Sequence, residues 1–244
     1  MREQQFQADA VRATRPLAVI GQDMKRMTDM NLFKQKALLT AFVSLLMSTV
    51  HAAPVTYTDQ ASFLSALPGS ATTLDFDSLA AGTTIASGDT VEGITFNYNF
   101  GSVEMNVSDA YLTTSSPNFL GTNDADVLQD GDDFDLSFAP VNAIGMFFIT
   151  ADDMYDNDIT LSAGGASVGL SVGDAGTDLG DGGIPYFLGI IDTANAFNTA
   201  SITTIGGGYF LYNVDDITTA VVPLPGALWL FLSGLAGLLA ARRK

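Results

Sequence analysis

Carboxylates are the residues of this 244-residue chain whose number and spacing could support chemistry. Residues 53–220 contain 23 Asp and Glu side chains and no Lys, Arg, His or Cys. This composition excludes a Ser-His-Asp or Cys-His catalytic centre, a zinc site built on His or Cys, Schiff-base chemistry and an arginine clamp. It also argues against nucleic acid as a partner, because neutralising phosphates requires basic side chains.

Calcium binding is one chemistry that carboxylates can support alone. Calcium takes about six to eight oxygen ligands, which loops rich in Asp, Asn and Gly can supply. None of the Asp-rich groups matches the helix-loop-helix calcium motif. Three groups have a suitable composition: residues 123–126 with 130–133, residues 152–153 with 156–158, and a set called here the strand-end cluster, which consists of Asp75, Asp77, Asp215 and Asp216.

Carbohydrate chemistry is the second possibility. A glycoside hydrolase needs two acids about 5 to 10 Å apart across a sugar site. Most acids here lie in loops rich in Gly and Asn, where a solvated surface carboxylate is the usual outcome. We therefore expect a non-catalytic domain, with a carboxylate-only hydrolase as the alternative. Aromatic rings could instead stack on sugars. The candidates are Tyr98, Phe100, Tyr111, Phe119, Tyr155, Tyr186, Tyr209 and Tyr212.

The elements that must position these residues are predicted to be mostly strands. Asp59 can cap a short helix over residues 60–67, which Pro68 and Gly69 would end. The remaining apolar segments are short, β-branched or aromatic, and bounded by turn residues, which favours two antiparallel sheets in a β-sandwich or jelly roll. The predicted strands lie near residues 72–76, 93–98, 133–138, 143–150, 159–162, 166–172, 186–191, 200–205 and 209–217.

A secretory signal peptide is predicted ahead of this domain. Lys34 and Lys36 precede an apolar run over residues 37–47, and small residues follow at Ala52 and Ala53. The run of about eleven residues is shorter than the roughly twenty that a transmembrane helix needs. The pattern therefore predicts export through the inner membrane, with signal peptidase cutting between Ala52 and Ala53.

These patterns divide the chain into four parts. The expected translation start is Met30, because a signal peptide normally begins close to its basic segment. Residues 30–52 are then the signal peptide, and residues 1–29 are an upstream extension. The acidic domain occupies residues 53–220, and a C-terminal tail occupies residues 221–244.

The tail combines a proline motif, an apolar segment and a basic end. A helix over residues 226–241 would be about 24 Å long, shorter than the roughly 30 Å core of a bilayer. Prolines directly before it are typical of a helix boundary, and a basic end favours the cytoplasmic side. The motif is Val222, Pro223, Leu224 and Pro225, and the basic end is Arg242, Arg243 and Lys244.

This tail resembles the PEP-CTERM sorting signals of Gram-negative bacteria, in their Val-Pro-Leu-Pro-Ala variant. The resemblance covers residues 222–244. Leu224 stands where the commonest form has Glu, and Gly226 stands where the variant has Ala. The resemblance implies transient anchoring in the inner membrane, cleavage by an exosortase-type protease near the proline motif, and release or transfer to the cell surface. It also implies a setting in which extracellular polysaccharide is made.

A looser resemblance to the passenger domains of such proteins extends over most of residues 53–218. It implies a jelly roll like those of carbohydrate-binding modules, in which the first and last strands lie side by side and share a calcium ion. The strand-end cluster is therefore the expected calcium site. We expect an exported surface or matrix protein that is non-catalytic, associated with polysaccharide and stabilised by calcium. The matching segments are 63–67, 74–83, 93–96, 187–190 and 214–217.

Overall fold

The computed structural model describes residues 52–67, 69–221 and 233–235. The described residues between 52 and 221 fold as an all-β sandwich of two antiparallel sheets with one short α-helix, which confirms the antiparallel sandwich predicted from the sequence. The strands are β1 (Val55–Tyr57), β2 (Ala71–Leu74), β3 (Thr84–Ile85), β4 (Thr90–Val91), β5 (Ile94–Tyr98), β6 (Met105–Ser108), β7 (Phe119–Thr122), β8 (Leu128–Gln129), β9 (Phe134–Val141), β10 (Ala143–Thr150), β11 (Ile159–Ala163), β12 (Ala166–Gly169), β13 (Ile184–Ile191), β14 (Phe197–Thr204) and β15 (Leu211–Ala220).

The helix, α1 (Gln60–Ala66), begins where the sequence predicts. Asp59 is its N-cap, and the carboxylate Oδ1 accepts a hydrogen bond from the backbone N–H of Ser62 at 2.8 Å. This bond satisfies one of the N–H groups that the first turn of a helix leaves without a partner. Phe63 points into the protein and is fully buried, whereas Leu64 is exposed. The helix thus presents one apolar side chain to the sheet beneath it.

The larger sheet has nine strands, and the last strand of the domain lies in its interior. The path is β1-β13-β10-β15-β7-β6-β3, with β2 and β8 also paired to β15. Leu74 of β2 lies opposite Ile217 of β15, so the strand that follows α1 and the final strand are neighbours. The register of β10 against β15 shifts between Gly145 and Phe147. Asp216 lies at this β-bulge with a φ of 54°.

The smaller sheet has six strands in the order β12-β11-β14-β9-β5-β4. Its strands alternate between buried apolar residues and polar residues. In β5, for example, Ile94 and Phe96 are buried while Asn97 is only partly covered. This period of two is typical of a sheet with one face on the core and the other toward solvent.

The main core lies between the two sheets and receives apolar side chains from both. Phe96, Leu136 and Ile202 enter it from the six-stranded sheet. Phe148 and Val214 enter it from the nine-stranded sheet. A second, smaller apolar cluster lies under α1 on the outward face of the nine-stranded sheet. Its buried members are Phe63, Ala143, Phe187, Ile191 and Ala220.

The structure extends several predicted strands and adds others that the sequence did not indicate. Each of the nine predicted strands overlaps an observed one. Additional strands are β1, β3, β4, β6, β7 and β8, of which β3, β4 and β8 have two residues each. Strands this short carry too few residues for an alternating pattern to be recognised.

The predicted signal peptide and most of the predicted sorting tail lie outside the described residues. Residues 233–235 of the tail are helical. In the parts of the chain that the structure describes, no helix is long and apolar enough to cross a membrane. The predicted helix over residues 226–241 and the cleavage between Ala52 and Ala53 therefore stay predictions.

Candidate functional site

The fold brings the two halves of the strand-end cluster to one edge of the pairing between β2 and β15. Asp75 and Asp77 directly follow β2, while Asp215 and Asp216 belong to β15. The hydroxyl of Ser115 lies 3.5 Å from the carbonyl oxygen of Asp75 and 3.0 Å from Oδ1 of Asp215. Residues from both ends of the domain thus meet around one loop.

Asp215 is the buried centre of this cluster. Its Oδ2 accepts hydrogen bonds from the Thr114 hydroxyl at 3.1 Å, the Ser115 N–H at 2.8 Å and the Thr113 hydroxyl. Its Oδ1 accepts from the N–H of Asp216 at 2.7 Å. Burial raises the pKa of Asp215 to about 6, because desolvation outweighs the stabilisation that these donors give to the charged form.

The other carboxylates of the cluster lie nearer to solvent and interact with one another. Burial raises the pKa of Asp216, and the negative charges of Asp75 and Asp77 raise it further. Asp77 accepts a hydrogen bond from the N–H of Asn118 at 2.9 Å, and Asp75 accepts one from the N–H of Asp77 at 3.1 Å. The cluster therefore concentrates negative charge in a domain whose sequence contains no Lys or Arg to balance it.

The oxygen atoms around this cluster are of the kinds that calcium binds. They include carboxylates, the hydroxyls of Thr114 and Ser115, and the carbonyl of Asp75. Among the described residues, no group of three or more Asp, Glu, His or Cys side chains has the arrangement of a ready metal site. The structure places the four predicted residues at one edge of the β2–β15 pairing without arranging three of their carboxylates as a metal site, and the ion stays a prediction.

The Asp-rich segment over residues 123–133 has a structural role in the observed fold. Asp130 is buried and accepts hydrogen bonds from the N–H groups of Gly206 at 2.7 Å and Tyr209 at 3.3 Å. Asp133 accepts from the N–H of Thr204 at 2.8 Å. These carboxylates fix the loop between β14 and β15 by supplying acceptors that no neighbouring strand provides.

The Asp-rich segment over residues 152–158 does the same on a neighbouring loop. Asp158 accepts from the N–H of Tyr155 at 2.6 Å, and Asp156 accepts from the N–H of Val172 at 2.9 Å. Asp152 accepts from the N–H of Leu211 at 2.7 Å. Asp215, Asp77 and Asp75 of the strand-end cluster also accept hydrogen bonds from backbone N–H groups, so this engagement does not rank the three Asp-rich groups as calcium sites.

A groove that the sequence did not indicate lies on the outward face of the nine-stranded sheet, at the end away from α1. Its volume is about 190 Å³, and we call it the first groove. Asn213 of β15 contributes to its lining and is 3 % exposed. The side-chain Oδ1 of Asn213 is buried and has no hydrogen-bond partner. Other residues that line the groove are Tyr111, Leu112, Ile149, Asp152, Asp181 and Leu211.

Hydrogen bonds between carboxylates and the backbone hold the walls of the first groove. Asp181 accepts from the N–H of Leu112 at 2.7 Å and from the N–H of Gly183 at 3.0 Å. The Leu112 bond, followed by the Gly183 bond, lowers the pKa of Asp181 below its ordinary value. Two loops that are distant in sequence are thereby joined, and the carboxylate at their junction is ionised at neutral pH.

A second groove shares Asp152 with the first and has a volume of about 560 Å³. It lies between the β10–β11 loop and the β14–β15 loop. Tyr155 is 73 % exposed and Tyr209 is 79 % exposed, so both side chains are largely open to solvent. Other residues that line it are Asp153, Asp158, Ile205 and Phe210.

The aromatic residues proposed from the sequence as sugar contacts divide into two classes. Tyr111, Tyr155 and Tyr209 are exposed and line the two grooves. Tyr98 and Phe100 are partly buried and stack on each other at 4.6 Å between ring centroids. Three others are buried, so they pack the interior and are unavailable to a sugar: Phe119, Tyr186 and Tyr212.

Comparison with known proteins does not indicate a function for this domain. No protein-family model matches the chain, and no curated protein matches it in sequence. The resemblance of the tail to a sorting signal therefore rests on the residues of the motif.

Proposed function

We propose that this chain is an exported surface protein whose β-sandwich is a non-catalytic passenger, held briefly in the inner membrane and released at a C-terminal sorting signal. The signal-peptide pattern before residue 53 supports export. The proline motif, apolar segment and basic end of residues 222–244 support recognition by an exosortase-type protease. The destination proposed for the released domain is the cell surface or a polysaccharide-rich matrix.

The observation that carries this function is where the folded domain begins and ends. Its first strand starts at Val55, three residues after Ala52, and its last strand ends at Ala220, two residues before Val222. Because β15 is an interior strand, a protease could not cut within it without disrupting the sheet. Cleavage in the proline motif, by contrast, would leave every described strand intact.

The engagement of the carboxylates supports a non-catalytic role. A hydrolytic general acid needs a raised pKa and access to the substrate. Asp215 has the raised pKa, but it is fully buried behind the loop that contains Thr113 and Ser115. The exposed acids that line the grooves, such as Asp152 and Asp181, are bonded to backbone N–H groups. These features favour binding over hydrolysis.

We further propose that the sandwich is a jelly roll of the type found in carbohydrate-binding modules, and that a calcium ion binds at the strand-end cluster. The pairing of β2 with β15 supports this assignment, since it brings Asp75 and Asp77 beside Asp215 and Asp216. A calcium ion would balance charge that no Lys or Arg in the domain can balance. The oxygen ligands present are the ones that this ion prefers.

Intact-mass and fractionation measurements test the proposed processing. The full chain is produced in a Gram-negative host with an exosortase-type system, and the mass of the surface or released form is determined. We expect an N-terminus at Ala53 and loss of Arg242, Arg243 and Lys244. The double variant Pro223→Ala with Pro225→Ala should remain in the membrane fraction with its basic end attached.

The control for this experiment is Val221→Ala, which changes an exposed residue next to the motif and should be processed normally. A surface form that keeps the three basic residues would contradict the sorting proposal. Equal processing of the double-proline variant and the control would contradict it as well. Retention of residues 30–52 in the mature protein would contradict export by a cleaved signal peptide.

A further inference from the structure

Two adjoining grooves on the sandwich suggest a ligand for the exported domain. The first groove is lined by two carboxylates, an exposed ring and Asn213, whose amide oxygen has no partner, and the second adds two more exposed rings. Asp152 lines both grooves, so they form one continuous surface. This surface, defined by Tyr111, Asp152, Tyr155, Asp181, Tyr209 and Asn213, is called here the tyrosine strip.

The carboxylates and the unpartnered amide oxygen of the tyrosine strip favour a ligand that donates hydrogen bonds. Asn213 has a buried Oδ1 with no partner, and the carboxylates of Asp152 and Asp181 retain lone pairs beyond those bonded to backbone N–H groups. A carboxylate has about four lone-pair sites, so each retains acceptor capacity. The strip contains no Lys, Arg or His that could donate to an acidic ligand.

The rings of the strip indicate a ligand with an apolar face as well as polar edges. Tyr111 is 52 % exposed, and Tyr155 and Tyr209 are more exposed still. A sugar ring has an apolar C–H face that packs on an aromatic face, while its substituents donate hydrogen bonds at the edge. Rings in both grooves would suit a polymer of such units better than a single one.

The negative charge of the domain favours some classes of sugar polymer over others. The domain has 23 carboxylates and no basic side chain, so an acidic polysaccharide would be repelled and a cationic one attracted. An ammonium donor to a carboxylate also forms a stronger hydrogen bond than a hydroxyl donor does. The depressed pKa of Asp181 keeps its carboxylate ionised in mildly acidic solution, where a sugar amine is protonated.

We infer that the tyrosine strip binds a polysaccharide with free-amine sugar units, its rings stacking on the sugars and Asp152, Asp181 and Asn213 accepting from the ammonium and hydroxyl groups. This inference rests on the proposed function, since it names the ligand class of the non-catalytic passenger. Hydrolysis is no part of it, so no bond is made or broken.

Binding of defined oligosaccharides to the full chain, held in an uncharged detergent at pH 6, tests this inference. The probe is a glucosamine hexamer with free amines, and the matched probe is the same hexamer with every amine acetylated. Salt at 0.15 M reduces attraction by the net charge of the domain. We expect the acetylated hexamer to bind at least ~10-fold more weakly, because it cannot form the charged hydrogen bonds.

Three variants separate specific binding from general charge attraction. Tyr111→Ala should weaken binding about 10-fold by removing a stacking face. Asn213→Leu should weaken it by a similar factor of about 10 without lowering the melting temperature, because an apolar residue of similar size removes an unsatisfied buried acceptor. Leu64→Ala, which changes an exposed residue on α1, should leave the affinity unchanged.

Three results would overturn the inference: equal affinity for both hexamers, unchanged affinity in Tyr111→Ala and Asn213→Leu, or binding that disappears at 0.15 M salt. The mass and fractionation measurements on the proline motif do not depend on this ligand. Normal processing together with failed binding would therefore remove only the sugar inference, and failed processing with intact binding would remove only the sorting proposal.

Discussion

The two ends of the outward face of the nine-stranded sheet differ in polarity and in the element that covers them. At one end α1 covers the face, and Phe63 packs between Tyr57 and Phe187 at ring-centroid distances of 5.7 and 5.2 Å. At the other end the same strands present Asn213 and Asp215, which are buried by loops and not by a helix. One end is apolar and closed, and the other is polar with a groove beside it.

This difference separates stability from recognition within one sheet. Burial of apolar rings under α1 contributes free energy of folding without further requirements. Burial of an unpartnered amide and a carboxylate opposes folding, unless a ligand or a counter-ion compensates. We therefore expect substitutions at the α1 end to lower the free energy of unfolding. Substitutions at the polar end should instead change how stability and binding depend on pH, ions and ligand.

The largest expected effect is that of Phe63→Ala. The ring is fully buried, and its removal leaves a cavity above Gly145 and Gly189, whose small size allows the close approach of the ring. Such substitutions cost about 3 to 5 kcal/mol. Thermal or denaturant unfolding of the full chain measures the loss, and Leu64→Ala on the exposed face of α1 is the control. A similar loss in both variants would show that α1 does not anchor this face.

The next largest effect concerns Asp215 and pH. Its pKa in the folded state is about 6, above the ordinary value of 3.8, so the folded protein holds this proton more tightly than the unfolded chain does. The free energy of unfolding should therefore increase as pH falls through 6 and decrease as pH rises through it. The full difference between the two pKa values corresponds to about 3 kcal/mol, of which roughly 1 kcal/mol develops between pH 7 and pH 5 and the rest at lower pH.

Unfolding in the presence of a chelator between pH 7 and pH 5 measures the effect of Asp215. Asp75, Asp77 and Asp216 face the same site, and the raised pKa of Asp216 acts with the same sign. The depressed pKa of Asp181 acts with the opposite sign but mainly below this interval. Asp215→Asn should flatten the profile. Stability that falls steadily from pH 7 to pH 5 in the wild type would contradict the raised pKa.

A smaller effect is expected from Gly189→Ala at the α1 end. An added Cβ would lie 2.7 Å from a ring carbon of Phe63 and 2.8 Å from one of Phe187, so both rings would have to move. Overpacking of this kind costs about 1 to 3 kcal/mol. Gly173→Ala is the matched control, because the nearest atom to its Cβ is at 3.7 Å. Equal melting temperatures for the two variants would mean that the rings repack freely.

The α1 end could be predicted from the sequence more fully than the polar end. The start of the helix follows from Asp59, because an N-cap acts locally. The long strands β10 and β13 follow from runs of apolar and β-branched residues. The strand-end cluster was placed by its resemblance to other domains, which puts the first and last strands side by side.

The grooves of the tyrosine strip could not be predicted, because they depend on contacts that are remote in sequence. The bond between Asp181 and Leu112 joins loops 69 residues apart. The signal that could have pointed there is Asn213, an amide between the apolar residues Tyr212 and Val214 of β15. A polar residue at such a position is buried only where something covers it or binds it.

The smallest expected effect is that of calcium on the polar end. An ion that binds only the folded state adds free energy of unfolding by mass action, about 1 kcal/mol at a concentration five times its dissociation constant. The melting temperature of the full chain should rise with millimolar calcium and return to its starting value with excess chelator.

Asp216→Asn should lose most of this rise in melting temperature, because it removes a carboxylate of the strand-end cluster. Asp153→Asn, in the loop that Asp152 and Asp158 already fix by backbone bonds, should keep it. A melting temperature that changes with neither calcium nor chelator, or an equal response in the two variants, would contradict a calcium ion at this cluster. The burial of Asp215 would then be compensated by its hydroxyl and backbone N–H donors.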